Sequence, residues 1–388
     1  MSVPFSLPPT PGLRASMAQA LALVRSGELQ RASSLLMQGL QAGAGSASSD
    51  THSAAAPRSG FTRTGNRSSA ARFSHGDAVD VPARWTGYKL HAKAPESASR
   101  EPGRFTSVSF QYAGAERPFQ LYVPASAPPP EGRPLILMLH GCTQDAQDFA
   151  RGTGMNHAAE AAGALVLYPT QLRAANQNGC WNWFRPEDQH AEAGEPALLL
   201  AMVRQVMATQ GVDPRRVYVA GLSAGGAMAA LLVREYAQVF AAAGVHSGLA
   251  AGAAQNMMGA LSAMKSGAKG FAPVANPAAS VPLIVFHGDR DTTVHPRNGE
   301  QLLQAAAPGL RAETQSGQSA DGRRYTRTTL RAPGAPAVQA EHWLLHGAGH
   351  AWSGGDARGS HTSAAGVNAS QEMLRFFLEH PQGRPAAM

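Results

Sequence analysis

Short apolar runs that end in turn-forming residues recur along the chain after its first hundred residues. They are residues 134–141, 164–170, 215–221, 240–248 and 281–288. Helix-forming stretches separate most of these runs, and two further runs between residues 104 and 126 predict an antiparallel pair of edge strands. Continuous apolar runs predict buried strands, and their alternation with helices predicts a mostly parallel sheet covered by helices on both faces. The predicted fold class is therefore α/β, with ligands expected beyond the carboxyl ends of the strands.

The chain before residue 105 has a different pattern. Apolar residues such as Leu21 and Leu29 recur at helical spacing and predict a helical segment over residues 1–40. Residues 41–104 are rich in Ala, Ser, Gly and Arg, which predicts a flexible linker, and the α/β domain then covers residues 105–388. The helical segment is interpreted as packing on the main domain or on another copy. The alternative is that its apolar face docks on a hydrophobic surface such as a polymer granule.

The basic charge of the chain is concentrated before the α/β domain. The net charge is +7, and residues 1–105 hold 12 Lys and Arg against 6 Asp and Glu, a net of +6, so that only +1 remains for the rest. No basic and aromatic platform accompanies this charge, so the sequence does not predict a nucleic-acid partner. No apolar run is long enough for a membrane span, and the N-terminus lacks a signal-peptide pattern, which predicts a cytoplasmic protein.

One serine lies where a predicted strand turns into a predicted helix. Ser223 stands in the sequence "GLSAGGAMA", after an apolar run and before an alanine-rich helical run. Such a turn forces the serine into a strained conformation, and Gly221 and Gly225 leave room for the strand and the helix to approach closely. The pattern is that of a nucleophile elbow, although a plain turn can also produce it. The candidate nucleophile is Ser223.

A serine nucleophile needs a base and a carboxylate, and in α/β-hydrolases these follow it in the order acid, histidine. Two aspartates follow the last apolar run; Asp291 is chosen over Asp289 because it lies farther along the loop. The alternative is that both aspartates only cap the turn and the next helix. His350 lies in a Gly-rich loop and is the candidate base, whereas His346 and His287 are interpreted as structural.

The oxyanion of a tetrahedral intermediate needs two backbone donors. One is expected to be the N–H of Ala224, directly after the candidate nucleophile, and the other the N–H of Cys142 in the loop after residues 134–141. The chain has only two cysteines, and neither is part of a metal-binding spacing. No metal and no organic cofactor is expected.

The segments "LHGCTQDAQDFA", "NGCWNWF", "GLSAGGAMA", "FHGDRDTTV" and "GAGHAWSGG" occur in this order. In these segments the chain resembles the polyhydroxybutyrate depolymerase family of α/β-hydrolase esterases, which is similar to feruloyl and acetylxylan esterases. The resemblance implies a serine esterase with the triad Ser223, Asp291 and His350 that acts on short-chain hydroxyalkanoate polyesters or oligomers. It also implies an extracellular location, in contrast to the missing signal pattern. The alternatives are a carbohydrate esterase for feruloyl or acetyl groups, and a granule-associated binding protein on a hydrolase scaffold.

Aromatic residues and both cysteines fall in loops expected at the active site. Trp181, Trp183 and Trp352 are interpreted as an apolar wall that binds the substrate, with buried core residues as the alternative. Cys142 and Cys180 lie in two such loops, so a disulfide between them is a further hypothesis. It would brace the oxyanion loop, and a reducing cytosol would leave it open.

Overall fold

A computed structural model of the protein describes residues 103–269, 281–306, 309–332 and 337–383. The predicted helical segment over residues 1–40 and nearly all of the predicted linker over 41–104 lie outside them. Both therefore stay predictions.

Strands and helices alternate through the described residues. The strands are β1 (Arg104–Val108), β2 (Gln111–Tyr112), β3 (Ala115–Glu116), β4 (Phe119–Val123), β5 (Arg133–Leu139), β6 (Leu165–Pro169), β7 (Val212–Leu222), β8 (Ala242–His246), β9 (Leu283–Gly288), β10 (Arg311–Gln318), β11 (Arg324–Arg331), β12 (Val338–Leu345), β13 (Trp352–Ser353) and β14 (Thr362–Ser363). The helices are α1 (Ala146–Thr153), α2 (Met155–Ala162), α3 (Gly194–Gln210), α4 (Ala224–Glu235), α5 (Met257–Ser266), α6 (Arg297–Ala306) and α7 (Ala369–Glu379), with a 3-10 turn at Pro186–Asp188.

Ten of these strands form the central sheet, in the order β1-β4-β6-β5-β7-β8-β9-β12-β11-β10. The six central strands from β6 to β12 run parallel, as predicted from the alternating pattern. The antiparallel pair β1 and β4 extends one edge, which confirms the predicted edge pair. At the other edge, β10 and β11 add an antiparallel hairpin next to β12.

Side chains of the central strands alternate between two buried cores. In β5, Leu135 and Leu137 belong to one core with residues of α3 and α4, whereas Ile136 and Met138 belong to the other with residues of α1, α2 and α7. All seven residues of β5 are buried, because helices cover the sheet on both sides. The predicted three-layer α/β architecture is thereby confirmed, and the parallel strands end together at one edge of the sheet.

A membrane-spanning helix would need a longer apolar stretch than any helix of the described residues offers.

Candidate active site

Ser223 lies at the carboxyl edge of the sheet, between the end of β7 and the start of α4. Its backbone has φ 57° and ψ −119°, a conformation that residues other than glycine rarely adopt. The backbone N–H of Ser223 donates a 2.9 Å hydrogen bond to the carbonyl oxygen of His246, the last residue of the neighbouring strand β8. The strained backbone is thus held in place by the adjacent strand.

Two glycines beside Ser223 permit the close approach of strand and helix. A Cβ atom added to Gly225 would overlap the carbonyl oxygen of Leu139 at the end of β5, and one added to Gly221 would overlap the backbone of Gly225. Only glycine avoids these overlaps, since it has no Cβ. The role that the sequence predicts for Gly221 and Gly225 is confirmed.

Asp291 and His350 form a hydrogen-bonded pair. The Nδ1 atom of His350 lies 2.7 Å from Oδ2 of Asp291, while the other carboxylate oxygen accepts the backbone N–H groups of Thr293 at 2.9 Å and Val294 at 2.8 Å. Burial alone would raise the pKa of Asp291, but the hydrogen bond and the charge of His350 outweigh it, and the pKa of Asp291 lies below its usual value. The carboxylate therefore stays ionised and can orient the imidazole.

A second acid and histidine pair lies next to the first. Oδ2 of Asp289 is 2.9 Å from Nδ1 of His346, and its other oxygen accepts the N–H of Gly347 at 2.7 Å. This pair therefore ties the loop before His350 to the loop that carries Asp291. Among the described residues, no group of three or more His, Cys, Asp or Glu side chains is arranged to hold a metal ion.

The loop that carries His350 and the turn that carries Ser223 meet at His246. The carbonyl oxygen of His246 accepts the N–H of Ser223, and its Nε2 atom accepts the N–H of Ser353 at 3.2 Å. Burial lowers the pKa of His246 to about 3, so this ring stays neutral and can accept that bond. No hydrogen bond joins the Ser223 hydroxyl to the His350 imidazole among the described residues, and such contacts commonly shorten only when substrate binds.

The loop after β5 lies against Ser223. A Cβ atom added to Gly141 would stand 3.6 Å from the Cβ of Ser223, and the N–H of Gly141 is occupied by the side-chain oxygen of Gln144 at 2.9 Å. Within the described ranges, the backbone N–H groups of Cys142 and Ala224 donate no hydrogen bond to another protein group. Both donors are therefore available to a ligand oxygen.

Cys142 is joined to Cys180 by a disulfide that closes 38 residues of chain. The N–H of the next residue, Thr143, donates a 2.7 Å hydrogen bond to the carbonyl oxygen of Asn178. These two links fasten the candidate oxyanion loop to the segment before Trp181.

A buried carboxylate that the sequence did not single out lies beneath this loop. Glu195 accepts hydrogen bonds from the N–H of Asn182 at 2.7 Å, from the side-chain amide of Asn182 at 2.6 Å and from the side-chain amide of Gln171. Gln171 also donates to the carbonyl oxygen of Cys180 and, through its N–H, to the ring of His140. Burial raises the pKa of Glu195 to about 7 despite these donors. Local sequence patterns reveal no such network, because its members lie as far apart in the chain as His140 and Glu195.

The structure corrects the prediction of an aromatic wall. Trp181 and Trp352 are each 1% exposed and Trp183 is 5% exposed. Trp352 packs edge-on against Phe149, with ring centroids 5.5 Å apart, and stacks on His246 at 5.3 Å. These side chains are core residues beneath the site, since their surfaces are covered by other protein groups and leave almost none for a ligand.

A family model described as "Esterase PHB depolymerase" matches residues 118–316, just over half of the chain. The chain belongs to this family. The match includes Ser223 and Asp291 and ends before His350. The resemblance seen in the sequence motifs is therefore confirmed.

Among the relatives of this chain, one is named as a poly(3-hydroxyalkanoate) depolymerase and another as a feruloyl esterase, the two kinds of enzyme that the sequence motifs resemble. Poly(3-hydroxyalkanoate) depolymerase C of Paucimonas lemoignei is 32% identical over 187 residues, which cover 45% of this chain and 44% of the relative. Feruloyl esterase B of Thermothelomyces thermophilus is 30% identical over 187 residues, which cover 44% of this chain and 63% of the relative. The chain thus spans less than two thirds of the length of these relatives.

Solved structures support the fold. The acetyl xylan esterase from Aspergillus awamori superimposes with a TM-score of 0.54 at 19% identity, covering 71% of this chain and 99% of that one. The chain has the α/β-hydrolase fold.

Proposed function

We propose that the protein is a serine esterase that hydrolyses carboxylic esters through an acyl-enzyme. Ser223 is the nucleophile, His350 the general base and acid, and Asp291 the carboxylate that orients the imidazole. The backbone N–H groups of Cys142 and Ala224 stabilise the oxyanion. No metal or organic cofactor takes part in this proposal.

The observation that carries the proposal is the 2.7 Å hydrogen bond between His350 and Asp291 at the edge of the sheet where the strained Ser223 lies. A histidine that donates through Nδ1 to a carboxylate keeps its Nε2 atom free to accept a proton. A serine at a strand-to-helix turn presents its hydroxyl toward that edge. Ala224 directly follows Ser223, and Cys142 follows Gly141, which lies against Ser223. We therefore expect their two free N–H groups to face the oxygen on which negative charge develops during acyl transfer.

The reaction then proceeds in two halves. Ser223 attacks the ester carbonyl while His350 takes its proton, and the resulting imidazolium gives that proton to the departing alcohol. Water, deprotonated by the same imidazole, attacks the acyl-enzyme, and the carboxylic acid leaves as Ser223 regains its proton. One ester and one water become one acid and one alcohol.

We propose hydroxyalkanoate esters, either polymer or oligomer, as the substrate class. The name of the Paucimonas lemoignei relative supports this class, and the name of the Thermothelomyces thermophilus relative supports a feruloyl ester as a second candidate. Both classes require the same triad, so the substrate has to be distinguished by measurement.

The test compares the wild type with Ser223→Ala on p-nitrophenyl butyrate, 3-hydroxybutyrate oligomers, methyl ferulate and an acetylated xylan oligomer. Turnover of the hydroxybutyrate oligomers that disappears in Ser223→Ala supports the proposal. Turnover of methyl ferulate or the acetylated xylan oligomer alone would move the substrate to carbohydrate-linked esters. Absence of turnover on every ester would contradict the esterase function.

We further propose that the enzyme works in an oxidising compartment, because disulfides persist there and not in a reducing cytosol. The Cys142–Cys180 bond supports this location. Thiol titration of the protein isolated from its native source tests it, since two free thiols would contradict the proposal.

The granule-binding alternative depends on residues outside the described part of the chain. Deletion of residues 1–104 distinguishes it from a catalytic role. Retained turnover with lost binding to polymer granules would make the N-terminal region an adaptor, and unchanged granule binding would exclude that role.

A further inference from the structure

A second histidine lies at the candidate active site. The ring of His361 packs edge-on against the ring of His350, with centroids 6.5 Å apart and 75° between the ring planes, and its Nε2 atom is 3.2 Å from the hydroxyl oxygen of Thr143. Thr143 directly follows Cys142, the candidate oxyanion donor. His361 thus contacts the candidate oxyanion loop through Thr143 and lies beside the candidate base His350. In the proposed mechanism, the ester binds between that loop and that base.

The backbone of His361 is strained, and so is the backbone of two other residues at the candidate active site. The φ angles are 50° for His361, 68° for Thr143 and 57° for Ser223, all in the left-handed region that residues other than glycine seldom adopt. Strain of this kind tends to cluster at functional sites, where surrounding contacts hold it. The geometry therefore associates His361 with the site rather than with the general surface.

A set of hydrogen bonds holds His361 in position. The carbonyl oxygen of the preceding Ser360 accepts the side-chain amide of Gln144 at 2.9 Å, and its N–H donates to Asp148 at 3.0 Å. The Ser360 hydroxyl also donates to Asp148. The carbonyl oxygen of His361 itself accepts the N–H of Trp352 at 2.8 Å. The backbone on both sides is fixed. The residue as a whole counts as exposed, but neighbouring groups still desolvate the imidazole in part.

The contacts of Thr143 assign the tautomer of His361. The Thr143 hydroxyl has one proton, and its shorter contact is 2.5 Å to the carbonyl oxygen of Cys142, against 3.2 Å to the imidazole. Thr143 therefore donates to Cys142 and accepts from Nε2–H of His361. In the neutral ring, Nδ1 then carries a lone pair, and it has no hydrogen-bond partner among the described residues. Desolvation and the proximity of His350 lower the pKa of His361, which keeps the ring neutral.

We infer that His361 binds a hydroxyl group of the substrate, which donates to the free Nδ1 atom while the scissile ester lies against Ser223. The inference rests on the proposed esterase function and names the feature of the ester that this site recognises. Such a hydroxyl belongs either to the acyl side, as at the hydroxyl end of a hydroxyalkanoate chain, or to the alcohol side, as in a partly acylated sugar. An interior polyester unit has none, so the site favours chain ends over interior bonds.

The experiment uses two pairs of esters that differ by one hydroxyl. The comparison of methyl 3-hydroxybutyrate with methyl butyrate probes a hydroxyl on the acyl side of the ester. The comparison of trans-2-hydroxycyclohexyl acetate with cyclohexyl acetate probes a hydroxyl on the alcohol side. The ratio of kcat/KM within each pair is measured for the wild type, His361→Ala and His361→Asn. Asparagine tolerates a positive φ and keeps an acceptor oxygen near the position of Nδ1. The exposed His157→Ala on α2 is the matched control.

In His361→Ala we expect the hydroxyl preference of one pair to fall about three- to tenfold, the value of one neutral hydrogen bond. His361→Asn restores part of the preference, and His157→Ala keeps the wild-type ratio. A fall in the first pair places the hydroxyl on the acyl side, and a fall in the second places it on the alcohol side. Ratios that stay at the wild-type value in both pairs, with turnover that still depends on Ser223, overturn the inference alone. Absence of Ser223-dependent turnover overturns the proposed function and the inference with it.

Discussion

The imidazole of His350 and the carboxylate of Asp291 are joined by a 2.7 Å hydrogen bond although 59 residues separate them along the chain. The same loops hold a second pair, Asp289 and His346, with a 2.9 Å contact. The two aspartates differ in their surroundings. The side chain of Asp291 is buried completely, whereas that of Asp289 is 34% exposed.

Asp291→Asn tests which of these acids serves the reaction. We expect kcat to fall about 10³- to 10⁴-fold with little change in KM, because the imidazole loses its orientation and the stabilisation of its charged form. Asp289→Asn is the matched control and should change kcat by no more than about fivefold, since partly exposed pairs contribute about 0–1 kcal/mol. Esterase kinetics measure both, and a larger loss in Asp289→Asn would reverse the assignment.

Gly225→Ala tests the close packing behind the proposed nucleophile. The added methyl group would overlap the carbonyl oxygen of Leu139, which belongs to the rigid strand β5. We expect a loss of about 3 kcal/mol or more in the free energy of unfolding, or failure to fold. In Gly226→Ala, the nearest atom to the new methyl group would be 3.0 Å away, so the neighbours must shift only slightly. Denaturant unfolding compares the two variants, and equal stabilities would contradict the account of the turn.

The disulfide prediction concerns both stability and rate. Replacing Cys142 and Cys180 together by alanine should cost about 4 kcal/mol of unfolding free energy, since the bridge closes 38 residues of chain. It should also lower kcat, because the loop that carries one of the proposed oxyanion donors loses its covalent brace. Dithiothreitol should have the same two effects on the wild type and none on the double variant. A wild-type kcat that withstands complete reduction would show that the brace is dispensable.

Glu195 predicts a pH dependence of stability. Burial raises its pKa to about 7 from a usual value of 4.5, so the folded protein holds this proton more tightly than the unfolded chain does. This contribution to stability is fully present below pH 4.5 and is lost as the pH rises through 7. Glu195→Gln cannot titrate, so its Tm relative to the wild type should rise between pH 5 and pH 9. A constant Tm difference across this range would contradict the raised pKa.

The fold was predictable where the apolar pattern was strong. Strands β5 and β9 and the second half of β7, from Val217 to Leu222, are buried on both faces, so the sequence shows them as continuous apolar runs between turns. Strands β10 and β11 were not recognised, because seven of the eight residues of β10 are exposed and polar residues fill both strands. Main-chain pairing with β12 holds this hairpin in the sheet, and few of its side chains are buried.

The candidate site, like the fold, could be predicted from the sequence only in part. Ser223, Asp291 and His350 could be selected because each follows a recognisable strand and the three occur in a fixed order. The tryptophans were misplaced, since a loop position in the sequence does not reveal whether the side chain points inward. The positions of Glu195 and His361 near the site could not be read from the sequence, because they depend on contacts with residues far away in the chain. Such contacts exist only once the sheet has brought its strand ends together.

The most direct test of the central claim is the site of covalent labelling by an alkyl fluorophosphonate, a reagent that phosphonylates activated serines. Intact-mass and peptide mass spectrometry would be run on the wild type and on Ser223→Ala, alongside esterase activity. We predict one adduct per chain, located on Ser223, with loss of activity in proportion to labelling and no adduct in Ser223→Ala. Labelling of a different residue, or an active and still labelled Ser223→Ala, would contradict the account.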